Sequence, residues 1–185
     1  MTFVWIIFFI LLFSLAYAAA SGAPWVPTFR GDIDRLKKLL ALQDGEKFVE
    51  LGCGDGRVIL SLLSLPHLKG ELGGGNTLPR GNSRLVGTGL ELSLLQYLIA
   101  NIRRILSRTW NVKFILANAF HYDLRDVDAV YMFLMPETYE KIRPKLEAEL
   151  RPGTRVVTYV WPIEGWEPLV VDEVEGKSKL YLYRR

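Results

Sequence analysis

A glycine-rich turn with an acidic residue at its start is the first feature of this chain that points to chemistry. Residues 50–56 read Glu-Leu-Gly-Cys-Gly-Asp-Gly and follow an apolar stretch typical of a buried strand. Alternate glycines after a strand let a ligand approach the backbone and lead the chain into a helix N-terminus. A nicotinamide-binding turn would place its third glycine at position 57, where this sequence has Arg57. The turn therefore predicts a nucleotide-type site of another kind.

Two carboxylates narrow the choice of ligand. Glu50 stands directly before the first glycine, where it would repel a pyrophosphate but would suit a ligand that carries an ammonium group. S-adenosylmethionine fits that description. Glu91 ends the next predicted strand, where a carboxylate can accept hydrogen bonds from both ribose hydroxyls. It lies further from the glycine turn than the usual roughly 20 residues, and the loop-like stretch 70–83 accounts for the excess.

The first 22 residues form a separate apolar segment. Residues 3–20 carry no charge and would span about 27 Å as a helix, close to the thickness of a bilayer's hydrocarbon core. A cleaved secretory signal with an A-x-A site at 16–18 is the alternative, but a signal normally carries a positive n-region and none is present. A buried core helix is a third interpretation, for which the remaining chain is too small. We predict a retained single membrane span, with the basic residues after it placing the following domain in the cytoplasm.

Composition excludes several other classes of protein. The chain has 185 residues and a net charge of +3, which is too small to indicate a nucleic-acid partner. Its single cysteine, Cys53, excludes a disulfide framework and a zinc site built on paired cysteines. We expect no metal and a monomer in a reducing compartment. Arg103, Arg104 and Arg108 are expected to form a solvated helix face, with docking to lipid headgroups or an acidic partner as the alternative.

Strand and helix patterns alternate from residue 34 onward. Strands are predicted at 47–51, 85–90, 113–116, 129–134, 154–160, 169–174 and 179–183. Helices are predicted at 34–42, 57–65, 92–107 and 138–150, the last kinked or restarted at Pro144. This order predicts an α/β, doubly wound, mainly parallel seven-stranded sheet that ends in a hairpin. The predicted units are an anchor at 1–22, a linker and helix at 23–46, and one domain at 47–185.

The glycine turn, Glu91 and residues 118–120 together resemble the class I, seven-strand S-adenosylmethionine-dependent methyltransferases. Within that superfamily the chain is most similar to small membrane-anchored protein-lysine methyltransferases, those of the ATP synthase c-ring protein and the adenine nucleotide translocase. The carriers of this closer resemblance are the N-terminal segment, residues 23–28, residues 50–57, Trp161-Pro162 and residues 166–168.

The resemblance implies a role for each part of the motif. Glu50 would bind the methionine ammonium, Glu91 the ribose, Leu92 the adenine ring and Asn118 the adenine amine. Thr28 would close over the cofactor carboxylate. The implied cofactor-binding residues are Thr28, Glu50, Gly52, Cys53, Gly54, Asp55, Gly56, Glu91, Leu92, Asn118, Ala119 and Phe120.

The resemblance also implies an amine acceptor, most simply a lysine of a membrane protein. Met132, Phe133 and Pro136 would position that nitrogen, with Tyr131 or Glu137 as further polar candidates and no identifiable general base. Three alternatives stay open at this point. The acceptor would be a lipid, quinone or other small molecule, or the domain would bind S-adenosylmethionine without catalysis, or the protein would be secreted with a mature chain that starts near residue 19.

Overall fold

The computed structural model describes residues 1–21, 26–64 and 85–185. The predicted loop at 70–83 and residues 23–25 of the N-terminal motif lie outside the described residues. Every predicted strand is present, with boundaries that differ from the prediction by one to three residues at most ends.

Seven strands form one sheet in the order β3-β2-β1-β4-β5-β7-β6. They are β1 Lys47–Leu51, β2 Val86–Glu91, β3 Val112–Leu116, β4 Ala129–Met132, β5 Arg155–Tyr159, β6 Val170–Asp172 and β7 Leu180–Arg184. The first five are parallel, and β7 is antiparallel to both β5 and β6. The sheet is thus mixed but mainly parallel, and its last two strands form the predicted hairpin. Chain order reverses at β1, which lies between β2 and β4.

The described helices are α1 Thr2–Ser21, α2 Arg30–Leu40, α3 Arg57–Leu63, α4 Leu94–Ser107 and α5 Pro136–Glu149. The prediction placed the start of α5 two residues late and expected Pro144 to kink or restart it. Instead α5 is assigned as one helix from Pro136 to Glu149 with Pro144 inside it. Pro136 at the first helical turn explains the earlier start, because its fixed φ suits that position and it lacks only an N–H that has no helical partner.

Apolar side chains cover both faces of the sheet. Along β1, Phe48 packs into a core with residues of α2 and α3, whereas Val49 packs on the opposite face with residues of α5. Successive strand residues point to opposite faces, so a strand buried on both faces must be apolar throughout. This explains why the parallel strands read as continuous apolar runs, and it leaves the strand ends as the place for polar chemistry.

The membrane span predicted for residues 3–20 is not confirmed. Among the residues that the structure describes, no helix is long and apolar enough to cross a membrane. Helix α1 contacts the start of α4, where the Leu94 N–H donates to Ser14 Oγ at 2.5 Å. Part of α1 therefore packs against the domain instead of standing apart from it.

Candidate active site

A crevice opens at the carboxyl end of the sheet, where β1 separates β2 from β4. Strand order reverses at this point, which is where open α/β sheets bind their ligands. With its open mouth included, the crevice has a volume of about 980 Å³. It is lined by the glycine turn, by the tips of β2, β3 and β4, and by Pro27 and Thr28 from the segment before α2.

The structure brings most of the predicted site residues together here. The predicted residues that line the crevice are Thr28, Glu50, Gly52, Cys53, Gly54, Asp55, Glu91, Leu92, Asn118, Ala119, Phe120 and Phe133. Gly56, Met132 and Pro136 do not line it. Residues that the sequence did not single out also contribute, among them Leu15, Ala18, Ser93, Gln96, Leu134 and Thr138.

The three glycines of the turn have positive φ but two different uses. Gly52, Gly54 and Gly56 have φ of 73°, 54° and 72°, a region that side chains disfavour. A Cβ on Gly56 would lie 2.5 Å from the Phe114 ring, so this glycine allows the start of α3 to pack closely on β3. Gly52 and Gly54 face the crevice, where their lack of side chains leaves room for a ligand.

Glu91 holds the glycine turn against the tip of β2. Its Oε2 accepts from the Gly54 N–H at 2.7 Å. Its Oε1 accepts from the N–H groups of Leu92 and Ser93 at 2.8 and 2.7 Å. Burial raises the pKa of Glu91, and these amide hydrogen bonds act in the opposite direction. Glu91 therefore shapes the turn as well as presenting a carboxylate to the crevice.

Glu50 is a buried carboxylate at the floor of the crevice. It is 3% exposed, and its Oε2 accepts from the Ile59 N–H at 3.0 Å. Burial raises the pKa of Glu50 well above its ordinary value, and the negative charges of Asp55 and Glu91 add to the effect. A cationic ligand in the crevice would reverse this balance, because an opposite charge favours the ionised carboxylate.

Asp55 differs from the other two acidic residues because arginines neutralise it. Its carboxylate is hydrogen-bonded by the Arg57 side chain and lies 3.1 Å from Nη1 of Arg103. Although burial works against ionisation, the hydrogen bonds and charges of the two arginines leave the pKa of Asp55 below its ordinary value. Asp55 thus anchors the turn to α4, and the uncompensated acidic character of the crevice comes from Glu50 and Glu91.

Cys53 is a structural residue of the turn. Its side chain is buried, and burial raises the pKa of the thiol well above its ordinary value. Reactive cysteines have a lowered pKa. Cys53 is therefore a small residue that fits the turn and has no features of a nucleophile.

Gln96 adds a polar group that the sequence did not predict. It is 5% exposed, it lines the crevice, and its Oε1 has no hydrogen-bond partner among the described residues. A buried polar atom without a partner is costly, so it marks a position where a ligand group is expected. A glutamine in the first turns of an amphipathic helix has no distinguishing pattern, which is why sequence reasoning missed it.

A short strap before α2 closes one side of the crevice. Thr28 Oγ1 and Tyr131 Oη form a buried hydrogen bond at 2.8 Å, which fixes the strap to β4. Burial raises the pKa of Tyr131 well above its ordinary value. The Tyr131 hydroxyl therefore holds Thr28 in place and is poorly suited to act as a base.

The tip of β4 presents Phe133 to the crevice and turns Met132 away from it. The Phe133 ring lies edge-on against Tyr159, with ring centroids 4.8 Å apart. Met132 is fully buried in the core under α5, and its carbonyl accepts from Tyr139 Oη at 3.1 Å. Strand alternation explains the difference, because neighbouring residues point to opposite faces.

These residues fit S-adenosylmethionine. Glu50 would face the cationic methionine part, the side-chain-free turn would accommodate the ribose, and the unpartnered amide of Gln96 would meet a polar group of the nucleoside. Apolar walls from Val58, Leu90 and Phe120 suit the remaining surface. The bound cofactor would supply a methyl group that its sulfonium already activates, so the protein's task is positioning.

Comparison with known proteins agrees with this assignment. The sequence profile of the ANTKMT methyltransferase domain matches residues 50–170. A protein-lysine N-methyltransferase of Saccharolobus islandicus is 31% identical over 163 residues, which cover 86% of this chain and 92% of that protein. The mouse adenine nucleotide translocase lysine N-methyltransferase is 29% identical over 86% of this chain and 62% of its own length. The human lysine N-methyltransferase of the ATP synthase c-ring protein is 26% identical over 84% of this chain and 58% of its own length.

Among solved structures, an RNA methyltransferase of Salinibacter ruber in complex with S-adenosyl-L-homocysteine has a TM-score of 0.73. It is 24% identical, and the match covers 86% of this chain and 93% of that one. An S-adenosylmethionine-dependent O-methyltransferase of Thermotoga maritima has a TM-score of 0.62 at 14% identity, over 87% of this chain and 67% of that one. These two likenesses confirm the fold. With the profile match and the archaeal relative, the crevice and its acidic floor place the chain in the ANTKMT methyltransferase domain family, as an S-adenosylmethionine-dependent methyltransferase.

Proposed function

We propose that this enzyme transfers the methyl group of S-adenosylmethionine to the side-chain amine of a protein lysine. The observation that carries the proposal is the absence of charge on the acceptor side of the crevice. Among the described lining residues there, Thr28, Phe133, Leu134 and Thr138 are uncharged and Phe133 is aromatic. Such a surface suits a neutral amine, because desolvation disfavours the ammonium form and lowers the pKa of an entering lysine.

The names of the relatives support a protein acceptor. The archaeal relative is named a protein-lysine N-methyltransferase, and the mouse and human relatives are named for lysines of the adenine nucleotide translocase and of the ATP synthase c-ring protein. This chain covers about three fifths of the length of the mouse and human proteins. A lysine of a membrane protein is the acceptor we favour for this chain.

We further propose that the N-terminal segment associates the enzyme with a membrane and that the domain at 47–185 faces the cytoplasm. Residues 3–20 have no charged side chain, and the large apolar side chains of α1 from Phe3 to Ile10 are about half exposed or more. Exposed apolar surface of this extent marks a protein or membrane partner. The Lys and Arg residues that follow the segment support the cytoplasmic orientation.

The test is methyl transfer from a labelled donor to separated cell fractions. The enzyme is incubated with membrane and soluble fractions, and the products are divided into a protein precipitate and an organic extract. We expect label in the membrane-protein precipitate, and mass spectrometry should locate it on lysine. A Gly54→Val variant, which places a side chain in the crevice at a positive φ, is the inactive control.

Two results would contradict the proposal. Label confined to the organic extract would assign the enzyme to a lipid, quinone or similar small molecule. A thermal shift with cofactor but no transfer to any fraction would indicate a binding module without catalysis.

A further inference from the structure

Helix α4 turns its apolar side away from the protein. Its exposed apolar side chains are Leu98, Ile102, Ile105 and Leu106, at 44, 57, 54 and 77% exposure. At 100° of rotation per residue they share one face. Its buried residues are Gln96 and Ala100, which lie on the opposite side. A helix on a water-soluble domain normally packs its apolar stripe into the core, so this orientation indicates an apolar partner outside the domain.

An aromatic residue extends this surface beyond the end of the helix. Trp110 follows α4 and is 66% exposed. Tryptophan is favoured where an apolar phase meets water, because its ring is large and its N–H can still find a polar partner. We call the set Leu98, Ile102, Ile105, Leu106 and Trp110 the docking face.

The charges around the docking face are all positive. Residues 92–122 contain no Asp or Glu, and their charged residues are Arg103, Arg104, Arg108 and Lys113. Arg108 and Lys113 are exposed. Arg103 and Arg104 turn inward, toward Asp55 and the Val112 carbonyl. An apolar face with exposed cations beside it is the pattern of helices that lie at the surface of an anionic membrane.

The docking face is continuous with the apolar surface of α1. The two helices are in contact, and Ser14 of α1 accepts a hydrogen bond from the N–H of Leu94, the first residue of α4. Leu12 and Phe13, on the same part of α1, are 47 and 70% exposed. A partner that covers one of these surfaces therefore meets the other.

We propose that the docking face binds the interface of an anionic lipid bilayer, with α4 lying along the membrane surface. Leu92, Ser93 and Gln96, at the start of α4, line the crevice. Docking of this helix would therefore fix the height and orientation of the active site relative to the bilayer. The proposal goes beyond the identity of the acceptor, because a lipid acceptor and a protein acceptor would both be reached from this position.

The test uses the full-length chain with a fluorescent reporter on the docking face. Ile102→Cys and Ile105→Cys are each labelled with an environment-sensitive nitrobenzoxadiazole (NBD) probe, and Glu140→Cys on the exposed side of α5 is the matched control. The wild-type chain, whose only cysteine is buried, is the labelling blank. Vesicles of phosphatidylcholine, with and without phosphatidylglycerol, are then added.

We expect a blue shift and a several-fold rise in emission at positions 102 and 105, quenching there by brominated lipids, and no change at position 140. The response should be stronger when phosphatidylglycerol is present. Probes at 102 and 105 that stay in water while the protein sediments with vesicles would overturn the proposal. An equal response without phosphatidylglycerol would overturn its anionic part. A blue shift that depends on protein concentration and needs no vesicles would assign the face to a second copy of the chain.

Discussion

Glu50 is expected to lower the stability of the free enzyme in exchange for its role in cofactor binding. Because its pKa in the folded protein is raised by burial, the folded state holds the proton more tightly than the unfolded chain does. The stabilisation is complete below the ordinary carboxyl pKa and is lost as the pH rises toward the raised value. A Glu50→Gln variant still has an oxygen to accept the Ile59 N–H, but it has no proton to lose.

We therefore expect free Glu50→Gln to melt at a higher temperature than the wild type at pH 8, with a difference that shrinks toward pH 4. Thermal denaturation across this range, without cofactor, is the measurement. Glu140→Gln, at an exposed position of α5, is the control and should follow the wild type. Parallel pH profiles for Glu50→Gln and wild type would show that the carboxyl is not destabilising.

Gln96 is expected to act on the ligand and not on the fold. Gln96→Met keeps the length of the side chain and removes the Oε1 that has no partner among the described residues. Since a hydrogen bond contributes about 1 kcal/mol, the affinity for S-adenosylmethionine should fall about fivefold. The free protein should be as stable as the wild type or more stable. Calorimetry and thermal melting test the two halves separately, and an unchanged affinity would mean that the amide does not contact the cofactor.

At the scale of single residues, the sequence predicted the cofactor side of the crevice better than the acceptor side. The glycine turn with Glu50 and Glu91 is local in sequence, so its pattern shows its purpose. Gln96 and Thr138 reach the crevice only because helices bring them there. Met132 was chosen for its place near the end of a strand, but strand alternation turns its side chain into the core.

The strap before α2 is held by one hydrogen bond, which can be tested as a unit. Tyr131→Phe and Thr28→Val each remove one partner of the buried pair. Each should lower the free energy of unfolding by about 1 kcal/mol, or about 2–4 °C in melting temperature. The double variant should lose less than the sum of the two, because the same interaction is lost only once. Additive losses would show that the two hydroxyls are not coupled.

At the scale of elements, periodicity predicted the existence of α4 but not the direction in which it faces. An amphipathic pattern normally means that the apolar side is inside, and the arginines were accordingly assigned to solvent. Instead Arg103 and Arg104 bind Asp55 and the Val112 carbonyl, and Ile102 and Ile105 are exposed. The pattern gives the two faces of a helix, whereas its neighbours decide which face is buried.

At the scale of the whole molecule, one arginine joins the two ends of the domain. Arg35 of α2 forms ion pairs with Asp32 at 2.9 Å and with Asp172 of β6 at 2.7 Å, and its side chain is 11% exposed. It also donates to the Ser178 carbonyl between β6 and β7. The network therefore ties the helix that follows the strap to the C-terminal hairpin.

We expect Arg35→Met to destabilise the protein by about 3 kcal/mol, because it leaves two carboxylates with little access to water unpaired. Arg125→Met is the matched control, since its ion pair with Asp123 is exposed on both sides and should contribute little. Urea denaturation of both variants gives the comparison. Equal losses for the two would show that the Arg35 network has no special role.

The order of strands and helices was enough to predict the seven-stranded, mainly parallel sheet, because each element carries its own periodicity. The N-terminal segment was harder, since an apolar helix reads the same whether lipid or protein surrounds it. The contact between Ser14 and Leu94 joins residues 80 positions apart, and no local pattern indicates it.

The most direct test of the central claim is calorimetric titration of the wild type and of Glu50→Gln with S-adenosylmethionine and with NAD. The account predicts saturable binding of S-adenosylmethionine to the wild type at one site, at least tenfold weaker binding to Glu50→Gln because one charge-assisted contact is lost, and no binding of NAD to either. Equal affinity of both proteins for S-adenosylmethionine, or tight binding of NAD, would contradict it.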